Sequence, residues 1–216
     1  MTVPTRADRQ TLAAAARSIA SRGLSHGSTG NVSLRCGDHI LVTPTNSSLG
    51  TIEPDGLAIV DLDGNAVSAE QPSKEAVLHA AVYRARPDAR AIVHTHSLYA
   101  TAVSTLAGLD SRDALPALTA YYAMRVRALP LVDYFAPGDR RLADMAGETA
   151  REHPAMLLRN HGPVVADRDL GSAVEIAEEI EQTSQMFLLL HGRETVSLGE
   201  ADRAELYVRA RTRERE

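Results

Sequence analysis

The reading of this chain turns on Ala91-Ile92-Val93-His94-Thr95-His96. These residues follow Asp88-Ala89-Arg90 and carry the compact apolar pattern of a β-strand. Side chains two apart on a strand project to the same side, so His94 and His96 can direct both imidazoles at one point, as adjacent ligands of a metal ion must. By itself the pair is equally compatible with two unrelated polar residues at a strand end. A third histidine, His161, lies in Asn160-His161-Gly162-Pro163. That sharp link joins the strand-like runs 155–159 and 164–165, and a ring can emerge from such a turn. Three histidines suit zinc or a similar divalent ion.

Working outward, Pro72-Ser73 opens a helix predicted over residues 74–86. Val77, Leu78, Ala81, Val82 and Ala85 form its apolar stripe and Pro87 stops it. Glu75 falls in the first turn, where a carboxylate also suits the helix macrodipole. His79 follows one turn later on the same face and competes as a metal ligand. The preferred reading of His79 is a partly buried helix residue.

Further out, residues 31–35 and 39–42 read as a hairpin across Cys36-Gly37-Asp38. Residues 57–60 read as a strand, turned by Asp63-Gly64 and answered by Ala66-Val67. A strand is predicted over 128–132 and helices over 6–22, 98–106, 140–152, 169–190 and 201–211, with Gly23 as the cap of the first. The charged tail 211–216 is expected to fray. With no internal repeat and no linker, strands interspersed with helices read as one α/β unit over residues 1–216.

Composition narrows the function. The 216 residues carry 28 acidic against 23 basic side chains for a net charge of -5, with no block of five like charges and no tryptophan. This argues against a general nucleic-acid or membrane surface. The single cysteine, Cys36, makes no internal disulfide, and neither a leader nor a run of eighteen apolar residues is present. A reducing cytoplasm is the expected setting. Two loops, Ser28-Thr29-Gly30-Asn31 and Thr43-Pro44-Thr45-Asn46-Ser47-Ser48, are dense in small hydroxyl and amide groups that can cradle phosphate, although ordinary turns share that composition.

Taken together, Gly30-Asn31-Val32-Ser33, Thr43-Pro44-Thr45, Pro72-Ser73-Lys74-Glu75, His94-Thr95-His96-Ser97 and Asn160-His161-Gly162-Pro163 resemble, in this order, the class II aldolase/adducin family. The Ser-Lys-Glu at 73–75, the run 118–126 and Asp133-Tyr134-Phe135-Ala136-Pro137-Gly138 look most like its decarboxylase branch, which acts on 3-oxo-tetronate 4-phosphate. Sugar-phosphate aldolases of the family more usually show Ser-Ser-Glu and Thr-Gly, whereas Asn46 stands at the glycine position here.

The resemblance implies a three-layer α/β/α domain with a central, mostly antiparallel sheet, assembled as a homotetramer. It implies that His94, His96 and His161 hold zinc, with manganese as an alternative, and that Glu75 is the catalytic acid/base. It further implies that Gly30, Asn31, Thr45, Asn46, Ser73 and Lys74 surround the phosphate of a four-carbon sugar acid, and that Tyr122 reaches a neighbouring subunit's site. Decarboxylation of such a 3-oxo acid leaves an electron pair on C2 that must spread onto the C3 oxygen as an enediolate. A divalent cation stabilises that charge. Retro-aldol cleavage of a ketose 1-phosphate such as fuculose 1-phosphate passes through the same species, so an aldolase is the alternative. Adducin head domains share the fold as binding modules, and a chain lacking the metal histidines would suit that role.

Overall fold

Chain order begins with a reciprocal cap. The Thr5 hydroxyl accepts from the Asp8 N–H while the Asp8 carboxylate accepts from the Thr5 N–H, starting α1 (Arg6–Ser21). The same helix ends in a paired C-terminal motif. Gly23, at φ 74, donates to Ala20 and Leu24 donates to Ile19. The computed structural model describes residues 3–213.

The strands that follow are β1 (Asn31–Cys36), β2 (His39–Val42), β3 (Ala58–Asp61), β4 (Ala91–His94), β5 (Leu131–Val132), β6 (Ala155–Leu158) and β7 (Gly162–Asp167). They form one sheet in the order β3-β2-β1-β4-β7-β6-β5, antiparallel throughout except between β5 and β6. The helices are α2 (Ala76–Ala85), α3 (Leu98–Ser104), α4 (Ala120–Arg125), α5 (Arg140–Ala150), α6 (Leu170–Leu189) and α7 (Glu200–Arg213).

Strand alternation divides the interior in two. Ala91, Val93, Leu157 and Val165 enter the core formed with α1, α3, α4 and α6, whereas Ile92, Met156, Leu158, Val164 and Ala166 enter the core formed with α2 and α5. This is the three-layer α/β/α arrangement with a mostly antiparallel sheet. Among the described residues no helix is long and apolar enough to cross a membrane.

Several boundaries depart from the sequence reading. Strand β4 stops at His94, not His96, and α2 begins at Ala76, leaving Glu75 at its cap position. The strand predicted over 128–132 shrinks to Leu131–Val132, because Pro130 has no N–H to offer a ladder. Ala66 makes only an isolated bridge to Val60. Helix α4 has no counterpart in the sequence reading. Of the tail expected to fray, residues 211–213 belong to α7 and 214–216 lie outside the described residues.

Register brings the functional positions to one end of the sheet. Asn31, opening β1, pairs with His94, closing β4, and His94 pairs on its other side with Val164 of β7. At the first position of β7, Gly162 has φ 149, and a Cβ there would lie 2.2 Å from the Thr95 carbonyl oxygen. Only glycine allows the two histidine-bearing segments to approach this closely. Gly162→Ala is therefore expected to destabilise the fold by more than about 2 kcal/mol. Gly108→Ala, at φ 77 with nothing within 4 Å of its new Cβ, is expected to lose only about 1 kcal/mol. Urea denaturation checks the ranking, and equal losses would contradict it.

Candidate active site

Three imidazoles converge at this end of the sheet. The His94 Nε2 lies 3.1 Å from the His96 Nε2 and 3.3 Å from the His161 Nε2. The Glu75 carboxylate closes the group, with Oε2 3.4 Å from the His94 Nε2 and Oε1 3.4 Å from the His161 Nε2. Although His96 lies past the end of β4, its ring still meets that of His94.

The donor set fits a divalent cation. An ion holding nitrogen and oxygen ligands tetrahedrally at ~2.0–2.1 Å separates them by ~3.3–3.4 Å along each edge, close to the separations just given, and one ligand atom from each of the four residues lies within 4.8 Å of the others. The His94 Nδ1 donates to the Pro163 carbonyl at 2.9 Å. This places the ring proton on Nδ1 and leaves the Nε2 lone pair facing the cluster, the usual orientation device for a metal-binding histidine. The buried Glu75 Oε1 has no hydrogen-bond partner, as suits an atom kept for a ligand.

Electrostatics agree. Burial pushes His96 down to about 3 and His161 down to about 4, so both imidazoles are neutral donors at neutral pH. Burial opposes the ionisation of Glu75, but the imidazoles of His94 and His161 and a hydrogen bond from Asn31 outweigh it and hold the carboxyl below its ordinary value. Glu75 therefore rests as a carboxylate.

Beside the cluster opens a polar cavity of about 170 Å³ lined by Ser28, Thr29, Gly30, Asn31, Pro44, Thr45, Asn46, Ser73, Lys74, Glu75, His96, Pro137 and His161. It is smaller than the ~300–1,000 Å³ of pockets for larger ligands, a size that suits a small molecule. The loop at 43–48 is stitched to the 71–74 segment by Thr45 N–H donating to Gln71 and Ser73 N–H donating to Thr43. Gly30 has φ 74, and a Cβ there would meet the His94 carbonyl oxygen at 2.8 Å. Asn46 sits at φ 56, a conformation that asparagine tolerates in place of glycine.

Two expected roles change. The Asn31 side chain borders the cavity, but its amide is committed to Glu75 and His79. Tyr122 does not reach outward. It is fully buried in the core of its own chain, while Tyr121 beside it is 60% exposed. Thr119 accepts from the Tyr122 N–H to start α4, and the resulting turn directs Tyr122 inward.

Three further residues support the site. His79 is fully buried, and its ring contacts Asn31 and Ser33. Its position one turn after Glu75 was the available signal, although the sequence reading left it only partly buried. Glu181 carried no local signal. From α6 its carboxylate accepts from the Tyr99 and Ala100 N–H groups at 2.9 and 2.8 Å, capping α3 directly after the His94-Thr95-His96 segment. Ser97, at the cap position, makes no side-chain cap bond. Thr101 of α3 in turn donates to the His161 carbonyl at 3.2 Å.

A sheet end that gathers three imidazoles and a carboxylate beside a small polar cavity could hold a divalent cation next to a bound small molecule. The model of the class II aldolase and adducin N-terminal domain matches residues 10–188, and the chain belongs to that family. It is 42% identical over 199 residues to the 3-oxo-tetronate 4-phosphate decarboxylase of Escherichia coli (strain K12), covering 92% of this chain and 94% of that protein. An L-fuculose phosphate aldolase of Methanocaldococcus jannaschii is 39% identical over 164 residues, covering 76% of this chain and 86% of that one. The crystal structure of YgbL from Escherichia coli superposes with a TM-score of 0.90 at 40% identity, covering 94% of this chain and 98% of that chain.

The pKa directions carry a stability consequence. His79 and His96 are lowered from 6.5 to about 3 and His161 from 6.5 to about 4. Between these limits the unfolded chain binds more protons than the folded one, so stability falls as pH falls. The lowered Glu75 acts in the same direction below its ordinary 4.5. Metal-free protein should therefore melt at a lower temperature near about pH 5 than near about pH 7.5. Thermal melts followed by circular dichroism in chelator check this, and a flat or reversed trend would contradict it.

Proposed function

We propose that this protein decarboxylates 3-oxo-tetronate 4-phosphate to dihydroxyacetone phosphate. The observation that carries the reading is the Glu75 carboxylate among three imidazoles at the wall of a 170 Å³ polar cavity. The decarboxylase relatives supply the substrate class. His94, His96 and His161 would hold the ion, for which we propose zinc, with manganese as the alternative. Bound there, it would supply Lewis acidity toward the negative charge that develops on the substrate.

The remaining work falls to the chain itself. When the C1 carboxylate leaves as carbon dioxide, its electron pair stays on C2 and spreads onto the C3 oxygen. Carbon C2 then needs a proton. Glu75, buried yet bordering the cavity, takes one from solvent and delivers it to C2, returning to the carboxylate form. One proton is consumed per turnover, as loss of carbon dioxide from a carboxylate requires. Gly30, Thr45, Asn46, Ser73 and Lys74 would surround the phosphate, with Lys74 as the compact positive charge. Asn31 lines the same cavity, its side-chain amide being held by Glu75 and His79.

The aldolase relative at 39% identity supports a second reading, cleavage of a ketose 1-phosphate, because an aldehyde can leave the carbon next to the carbonyl in place of carbon dioxide. We also propose that the enzyme works in the cytoplasm as a homotetramer. The buried free thiol of Cys36 suits a reducing setting.

Metal-reconstituted protein incubated with 3-oxo-tetronate 4-phosphate should release carbon dioxide and dihydroxyacetone phosphate in equal amounts. Failure here, with dihydroxyacetone phosphate and an aldehyde formed from fuculose 1-phosphate, would replace the decarboxylase with the aldolase. Glu75→Gln should lower kcat at least ~100-fold. Lys74→Ser should raise KM about tenfold, the loss of one charge-assisted contact, and an unchanged KM would remove Lys74 from the phosphate site.

A further inference from the structure

Behind Glu75 runs a line of buried polar side chains that the chemistry above does not use. The Asn31 Nδ2 donates to the Glu75 Oε2 at 2.7 Å. The Asn31 Oδ1 lies 2.5 Å from the His79 Nε2, and the His79 Nδ1 lies 2.6 Å from the Ser33 hydroxyl. The Ser33 hydroxyl lies 2.9 Å from the Tyr83 phenol. Asn31, Ser33, His79 and Tyr83 are all buried, His79 and Tyr83 completely.

Hydrogen-bond polarity along this line has one self-consistent order. A carboxylate only accepts, so Asn31 must turn its NH₂ group toward Glu75 and its oxygen toward His79. That oxygen only accepts, so the His79 proton sits on Nε2. The Nδ1 lone pair then accepts from the Ser33 O–H. The Ser33 oxygen can in turn accept from Tyr83, whose O–H also lies 3.1 Å from the Ser33 carbonyl. Rotating the Asn31 amide by half a turn would set its oxygen against the carboxylate and break two buried contacts at once.

We infer that His79 is a positioning residue: its Nε2–H locks the orientation of the Asn31 amide, and that amide holds Glu75 in place for its proton transfer. The inference rests on the role proposed for Glu75. The helix supplies the spacing, because His79 also donates its backbone N–H to the Glu75 carbonyl at 3.1 Å. The two side chains thus stand one helical turn apart at the start of α2 and are bridged by a residue at the start of β1. A buried partner of this kind, oriented by covalent and hydrogen-bonded neighbours, fixes a reacting group more tightly than solvent can.

The test has one readout that needs no catalysis. In protein labelled in its histidine ring nitrogens, the His79 signals, assigned by their loss in His79→Gln, should show a neutral ring with the proton on Nε2. A proton on Nδ1 would overturn the proposed order. In the metal-loaded enzyme, His79→Phe should lower kcat ~10–100-fold with KM changed less than ~3-fold. His79→Gln, which restores an N–H toward Asn31, should recover most of that loss. Equal impairment of the two folded variants, or a change confined to KM, would show that His79 only fills space. Should wild-type enzyme turn over neither substrate, the proposed function fails, while the ring-proton position still judges the hydrogen-bond order.

Discussion

The His94 ring is gripped from one side and exposed to its neighbours on the other. Its Nδ1 donates to the Pro163 carbonyl, and its Nε2 faces His96, His161 and Glu75. Gathering these groups away from water is unfavourable unless each is held and some are shared with a ligand. Much of the surrounding structure serves that constraint. β4 is central in the sheet and buried along its whole length, so the ring it ends on has little room to move. Glu181 caps the helix that follows, and Thr101 on that helix ties down the His161 carbonyl. Gly162 lets the turn carrying His161 close onto Thr95.

On the proposed function, the site divides into a chemical half and a recognition half. Three imidazoles and Glu75 belong to the sheet end and are buried or nearly so, whereas Thr45, Asn46, Ser73 and Lys74 belong to loops around the cavity mouth. The first half serves any reaction that creates an electron pair beside a carbonyl. The second half must distinguish substrates. This division explains how one family can include both the decarboxylase and the aldolase to which this chain is similar.

Much of this was legible in the sequence because the signals are local. His-X-His at 94–96, the glycine after His161 and the prolines around the 72–75 loop each act through adjacent backbone. Alternation in 91–93 and apolar stripes such as that of α2 marked strands and helices of one α/β unit, whereas the three layers came only from the family resemblance. Other features depend on distant partners. Glu181 caps a helix 81 residues earlier in the chain, and nothing near it in sequence marks that contact. Asn31 sits in a loop motif that suggests phosphate, yet its pairing with His94 across β1 and β4 turns its amide onto Glu75. Tyr121 and Tyr122 are indistinguishable by composition, and only the start of α4 at Thr119 decides which one is buried.

The account stands on one ion being shared by the three rings. Anomalous diffraction from crystals of the zinc-loaded protein, recorded on both sides of the zinc absorption edge, addresses that directly. The account predicts a single strong peak ~2.0–2.1 Å from Nε2 of each of His94, His96 and His161. A peak bound elsewhere, for example to His79, or no peak among these rings at full zinc loading, would contradict it.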